Sequence, residues 1–305
     1  AACAIGGTLA LEIAMAEADI FDGLVVSSIR AATPLIYVLL GECLTQRVGR
    51  INLGVEGQML VGAAAGYGVA AASGNPWLGL LAGAVVGAVL SLVYAVLTVP
   101  ARANQFASGL AVWMLGFGLS AYAGAGLVGQ RVEGFTPLAN GFTPTMVLAL
   151  LLVPCIGLWL YTTRTGLAWR AVGESPDVAR AAGVQPALVI VLGIAAGGLL
   201  SGLGGAALSV DYTRTWAEGM SGGRGLVAVG LVIVARWNPW WTLPAALLFG
   251  CAEAMSLRMQ AAHSAIPAHL LHTLPYLASL AVFAIACVRL RDSGAPAALK
   301  NVLER

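Results

Sequence analysis

This sequence predicts an all-α membrane protein, a single polytopic helix bundle, on the strength of three observations. The chain is 59% hydrophobic and only 10% charged, against roughly 25% charged residues in an ordinary soluble domain. Its mean hydropathy is +0.86. Apolar stretches of about 18 to 24 residues recur along most of the length, each long enough to cross a hydrocarbon core about 30 Å thick as a helix. The third observation is the glycine and alanine content of those stretches, which suits helices packed against helices where lipid offers no hydrophobic drive to associate.

Taken in order, about ten spans are expected, at 1–16, 29–46, 56–72, 77–99, 104–127, 145–163, 187–208, 221–236, 239–258 and 272–290. The first and eighth are short for a full crossing, so truncated, re-entrant or protein-sheltered segments are expected there. An even count places both termini on one side. Arginine bias then sets the orientation: with the termini inside, Arg47, Arg50, Arg102, Arg164, Arg170, Arg180, Arg236, Arg289, Arg291, Lys300 and Arg305 are cytoplasmic, while Arg30, Arg131, Arg214, Arg224 and Arg258 remain outside. The acidic cluster Glu17, Asp19 and Asp22 also falls outside.

In "LLAGAVVGAVLSL" (80–92) and "GIAAGGLLSGLGGAAL" (193–208), Gly83 and Gly87, and Gly198 and Gly202, are spaced four apart. Such pairs let backbones approach closely, with packing inside one bundle the first reading and subunit dimerisation the second. The domain organisation is one transmembrane unit over 1–305. The five cysteines, Cys3, Cys43, Cys155, Cys251 and Cys287, lie scattered in apolar stretches without CxxC spacing and read as small packing residues. A net charge of +2 gives no footing for nucleic acid. Lysine occurs once, at Lys300, which excludes a P-loop in this chain because that signature needs a lysine on the phosphates. The start, "AACAIGGTLALEIAMAEAD", lacks a basic leader, so no cleavable signal is expected to be readable in it.

The main polar interruption is "RTGLAWRAVGESPDVARAAGVQP", 164–186. Ser175 can cap a short helix that begins with Pro176, carries Asp177 in its first turn and ends at Gly183. Glu174 lies at the same positive end. By composition this is either an amphipathic connector at the bilayer surface or a rigid knob that a soluble motor protein grips.

Four stretches carry a resemblance: "GRINLGVEGQMLVGA" (49–63), "ANQFASGLAVWMLGFGLS" (103–120), "RTGLAWRAVGESPDVARAAGV" (164–184) and "GGRGLVAVGLVIVARWNPWWTLPAALLFG" (222–250), with "IPAHLLHTLPYLASL" (266–280) as a fifth. Together they resemble the permease subunits of bacterial ABC importers of the branched-chain amino acid and monosaccharide superfamily. The likeness covers nearly the whole chain. "RAVGESP" followed by "ARAAGV" is shared across the superfamily, whereas "NLGVEGQMLVGA" is closer to the nucleoside-type branch, often called simple-sugar permeases. The chain departs from that branch at Trp113, where asparagine is common, and at Ala235 and Arg236, where glycine and lysine are usual.

The resemblance implies a function: ATP-driven nucleoside import by alternating access across the bacterial cytoplasmic (inner) membrane. It implies that Glu174, Ser175, Pro176, Asp177 and Arg180 form the helix that docks on the ATPase. It also implies the partners: an ABC ATPase that binds the ATP and Mg, a second homologous permease forming a heterodimer, and an extracytoplasmic substrate-binding lipoprotein. No cofactor or metal is expected in this chain, no enzymatic activity of its own, and no nucleic acid.

Polar residues inside apolar stretches remain to be placed. Glu56, at the head of the third span, can accept hydrogen bonds from exposed backbone amides or pair with Arg47 or Arg50, and Asn52 and Gln58 can satisfy a broken or bent helix. A nucleoside path needs amides and hydroxyls for the sugar and aromatic faces for the base. The candidates are Asn104, Gln105, Ser108, Trp113 and Phe117, with helix capping for Asn104 and packing for Trp113 as the plainer readings. Glu253, near Arg258, is expected to order packing or face a central cavity. Asp211, Arg214, Glu218 and Arg224 are expected in an outer loop that either meets the binding protein or is simply solvated. His269 and His272, with His263 upstream, lack an acidic neighbour for metal. The alternatives are an importer of a pentose or other simple sugar and, from another class, an ion-coupled secondary transporter using Glu56 and Glu253.

Overall fold

The computed structural model describes residues 2–262, 266–289 and 294–299, with side chains described from 23 onward except at 139 and 287–289. Expectations placed on Cys3, Glu17, Asp19, Asp22, His263, Cys287, Arg289, Arg291, Lys300 and Arg305 concern side chains outside the described residues. Within them the chain forms eleven α-helices and no strand: α1 (Ala2–Arg47), α2 (Val55–Ser73), α3 (Pro76–Thr98), α4 (Gln105–Gly124), α5 (Pro144–Thr162), α6 (Arg164–Glu174), α7 (Pro176–Ala181), α8 (Pro186–Ala206), α9 (Arg224–Val234), α10 (Pro239–Ala261) and α11 (Ala268–Arg289). A π-helical segment, Ala207–Tyr212, extends α8. Proline opens α3, α5, α7, α8 and α10, where its missing N–H has no acceptor to lose. Asn75, Asn104 and Asn238 cap α3, α4 and α10 with side-chain oxygens.

Six helices among the described residues are long and apolar enough to cross a membrane: Gly23–Arg47 of α1, then α3, α4 through Leu127, α5, α8 with its π segment, and Ala268–Ala286 of α11. The expected count of about ten is therefore not carried by length and composition. The spans expected at 1–16 and 29–46 lie in one helix of 46 residues with no turn between them. The span expected at 221–236 is α9, whose 11 residues reach about 16 Å. α2 and α10 match expected spans in position, but small residues and Glu56, Gln58, Glu253 and Arg258 lower their hydropathy.

α8 lies at the centre, packed on α1, α2 and α3, while α10 lies against the far side of α1. Glycine permits the central contact. A Cβ on Gly83 would stand 2.7 Å from the Gly62 carbonyl oxygen and 2.6 Å from Ala206 Cβ, and one on Gly87 would stand 2.6 Å from Gly202 Cα. The four-residue glycine pairs thus meet each other within this chain, which favours intrachain packing over a dimer seam. Enclosure differs among the spans: 61% of the span window of α1 is enclosed and 50% of that of α8, against 22% for α4 and 17% for α11. The last two therefore present apolar faces to lipid or to another chain.

The C-terminal end of α1 meets the N-terminal ends of α8 and α10. Thr45 reaches the Gly193 carbonyl at 3.4 Å, and Arg47 Nε donates to the Trp237 carbonyl at 2.5 Å. At this end of the bundle, the Arg47 end, a buried polar knot ties three segments together. Glu42 Oε1 accepts from Gln46 Nε2 at 2.9 Å and from the Asn52 amide at 3.3 Å, and Trp237 Nε1 donates to Gln46 Oε1 at 2.6 Å. α6 and α7 project from the same end, with Trp169 of α6 set edge-on against Trp159, ring centroids 4.8 Å apart.

Candidate functional site

The chain breaks its helical run after Tyr212. Gly219, Gly222 and Gly223 all take positive φ, of 66°, 60° and 88°, a region that only glycine occupies without strain. The chain then re-enters the bundle as α9, whose first amides have no acceptor four residues back. Glu56 supplies that acceptor. Its Oε1 accepts from the Gly223 amide at 2.8 Å and Ser221 Oγ at 2.5 Å, and its Oε2 from the Gly225 amide at 2.6 Å and the Leu226 amide at 3.3 Å. With Glu56 only 3% exposed, these bonds also offset the desolvation of the carboxylate. The helix dipole adds to them by favouring a negative charge at this end.

Of the other residues in that motif, Asn52 Oδ1 accepts from the Gly54 amide at 2.9 Å, turning the chain into α2. The amide oxygen and nitrogen of the fully buried Gln58 have no partner among the described residues. Arg47 turns toward Trp237 and the Tyr161 hydroxyl, at 3.1 Å from the latter, rather than toward Glu56.

Beside the start of α9 lies a cavity of about 660 Å³, walled by α1, the π segment, α9, α10 and α11. In its wall Arg224 Nη2 and Glu253 Oε1 form an ion pair at 2.5 Å, both side chains little exposed. Tyr212 donates its hydroxyl to the same Glu253 oxygen at 3.0 Å. Tyr276 donates to the Gly222 carbonyl at 2.7 Å, and its ring stands edge-on to Phe249, 5.5 Å between centroids. Arg30, Thr213, Ser256 and His272 add further polar groups to the lining. Aromatic faces beside a hydrogen-bonding ion pair suit a hydroxylated cargo.

The α4 residues are placed elsewhere. Asn104 caps its own helix, accepting from Phe106 and Ala107 at 2.9 and 3.1 Å. Gln105 Oε1 accepts from the Ile51 amide at 3.1 Å, fastening the turn before α2. Ser108 is buried, Trp113 presses its backbone against Gly57, and Phe117 is 42% exposed. None of the five lines the cavity. Of the residues expected in an outer loop, Glu218 is exposed, but Asp211 is 3% exposed. Asp211 Oδ2 accepts from Thr143 Oγ1 at 2.6 Å and from the Thr145 hydroxyl, and Arg224 is committed to Glu253. Hydroxyl donors buried beside Asp211 make a loop position there the less stable choice.

Sequence reasoning missed Arg224, Tyr212, Phe249 and Tyr276 as one group. The available signal was an arginine at the head of one apolar stretch and a glutamate inside another, since ionisable residues at such depth are stable only when paired.

At the Arg47 end, Ser175 Oγ accepts from the Val178 amide at 3.4 Å and Pro176 opens α7. Asp177 and Arg180 pair at 3.1 Å with most of both side chains in the open. Glu174 Oε2 accepts from the Ala297 amide at 3.2 Å. These residues form one exposed, capped projection between α6 and α8.

A family model described as "Branched-chain amino acid transport system / permease component" matches residues 24–286. The chain belongs to this permease family. It is 36% identical to the putative glucose ABC transporter permease protein TsgC13 of Haloferax volcanii, over 88% of this chain and 92% of that one. It is 30% identical to the guanosine ABC transporter permease protein NupQ of Bacillus subtilis, over 74% and 79%. A nucleoside ABC transporter permease protein of Lactococcus lactis, NupC, is 29% identical over 83% and 89%. No solved structure matches. Permeases of this kind are not themselves enzymes, and the family in general implies an ATPase and a substrate-binding partner.

Proposed function

We propose that this permease carries nucleosides inward, as one subunit of an ATP-driven importer in the bacterial cytoplasmic membrane, by alternating access between the two sides. The observation that carries the reading is the cavity beside α9, which joins the Tyr212, Phe249 and Tyr276 rings to the Arg224–Glu253 pair in about 660 Å³, within the range of small-molecule sites. Likeness over 74% and 83% of this chain to permeases named for guanosine and nucleosides supports it.

In this reading α2, α9 and α10 are also embedded in the membrane, approaching the expected ten spans, and the Arg47 end faces the cytoplasm. α7, with Glu174, Ser175, Pro176, Asp177 and Arg180, is the coupling helix. A partner ATPase binds ATP with Mg and hydrolyses it, and its closure pushes α7 and tilts α8. A second, non-identical permease faces this one, and a lipoprotein delivers the cargo from outside.

The test is ATP-dependent uptake of labelled guanosine, adenosine, ribose and glucose in cells holding the complete transporter or lacking only this chain. Nucleoside uptake that vanishes with the chain supports the reading. Uptake of sugars alone would replace the cargo and retain the machine. That second reading has an observation of its own: the 36% identity to a putative glucose permease. Uptake that survives loss of the ATPase and collapses with the ion gradient would instead make this a secondary transporter.

A further inference from the structure

The Arg224–Glu253 pair is incomplete in a particular way. A guanidinium and a carboxylate lying side by side ordinarily make two parallel hydrogen bonds. Here one is made, Nη2 to Oε1 at 2.5 Å. The two atoms that would form the other, Arg224 Nε and Glu253 Oε2, are both buried and without a hydrogen-bond partner. Oε1 is already supplied twice, by Arg224 and by the Tyr212 hydroxyl at 3.0 Å. The Arg224 Nη1 atom is turned to the Met220 and Ser221 carbonyls, at 3.4 Å each. Arg224 and Glu253 both line the cavity.

From this we infer that the pair is a hydroxyl-recognition site, and that Glu253 and Arg224 together read a sugar hydroxyl of the cargo. The inference rests on the proposed import function and adds the residues that select within it. The unmet groups are one N–H donor and one carboxylate acceptor. A hydroxyl satisfies both through a single oxygen, giving its proton to Oε2 and accepting from Nε. A carbonyl or ether oxygen only accepts, and an ammonium only donates. Both atoms are closed from solvent in this conformation, so the hydroxyl enters between them as the cavity walls part in the loaded state. A site built around such unmet groups rejects an analogue lacking the hydroxyl, because the groups then remain unpaired.

The experiment uses the complete transporter in proteoliposomes, with binding protein and cargo both saturating. Maximal rates are compared for a ribonucleoside and its 2′,3′-dideoxy analogue, and for glucose and singly deoxygenated glucoses. Two variants are measured beside the wild type. Glu253→Gln weakens the acceptor, and Arg224→Lys keeps the charge on Glu253 while removing Nε. The binding protein is the same throughout, so any change in the rate ratio belongs to this chain. The wild type is expected to prefer the hydroxylated cargo at least about tenfold, and both variants to bring the ratio close to one. A ratio unchanged in both variants, or rates lowered alike for both cargoes, overturns the inference and leaves the pair a packing device. Altered selectivity among bases at constant sugar also overturns it. If glucose alone is carried and its hydroxyl preference is lost in the variants, the nucleoside reading fails and this one stands. If the wild type carries neither, both fall.

Discussion

The α2–α3–α8 core and the wall formed by α9, α10 and α11 are both helical and both apolar in outline, yet they are held by opposite means. In the core, backbone meets backbone through Gly62, Gly83, Gly87 and Gly202, which leaves no side chain to rearrange. At the wall, a helix of 11 residues depends on one carboxylate for its Gly225 and Leu226 amides, and long side chains line a cavity. Close-packed backbones have one good arrangement. Long polar side chains around a void have several. In the proposed alternating-access cycle, this difference makes the core the scaffold and the wall the part that moves.

The sharpest way to break this contrast is to enlarge the core. Gly202→Leu has to displace backbone at Gly83 and Gly87, and overpacking of this kind costs about 3 kcal/mol or more. The expected outcome is loss of folded permease, seen as the absence of a monodisperse peak after solubilisation. A folded, active Gly202→Leu variant would show that the core yields, and would end the division into scaffold and moving part.

Next in size is Glu56→Ala. It removes the acceptor from the Gly223, Gly225 and Leu226 amides and from Ser221, with an expected cost of about 1–3 kcal/mol for the buried groups left unpaired. The melting temperature should fall, transport should be lost, and membrane insertion should persist. Glu56→Gln keeps one acceptor oxygen and should fall between the two. Smaller again is Thr145→Val, which deprives the buried Asp211 of one of its two hydroxyl donors. A drop of about 1–2 kcal/mol is expected, read as a lower melting temperature in detergent, with the π segment Ala207–Tyr212 showing the gain in hydrogen exchange.

Much of the scaffold was legible in the sequence because its determinants are local: stretch length, hydropathy, and glycines four apart. Glu17, Asp19 and Asp22 look like a turn between two spans, but α1 runs through them, since acidic residues by themselves cost a helix little. Glu56 was legible as a residue in need of donors, but which donors was not, because they lie more than 160 positions downstream. The cavity was illegible for the same reason. Arg224 and Glu253 are 29 positions apart on different helices, and only the packing of α9 against α10 brings them together. On α4, Asn104 and Gln105 were read as candidates for a sugar path, yet they spend their side chains on backbone amides at a helix start and a turn. Those uses are invisible until the chain's partner segments are in place.

The contrast between scaffold and moving part has a third member in α7, and Asp177→Arg tests it at almost no cost to the fold. Asp177 and Arg180 are exposed and, among the described residues, ion-paired only with each other, and such pairs contribute about 0–1 kcal/mol. Replacing the aspartate leaves two guanidiniums three positions apart on a helix of six residues, a repulsion of a few tenths of a kcal/mol at the surface. The melting temperature should therefore stay within about a degree of the wild type. Cargo-stimulated ATPase activity of the assembled complex, in contrast, should be lost, because the reversed charge sits on the face proposed to dock. Glu174→Arg removes the acceptor for Ala297 at the same spot and should act alike on ATPase stimulation, with a slightly larger effect on stability. If stimulation survives both changes, α7 is a surface connector between α6 and α8. The force that opens the α9–α11 wall would then have to enter through the Arg47 end itself, by way of the Glu42, Gln46 and Trp237 knot.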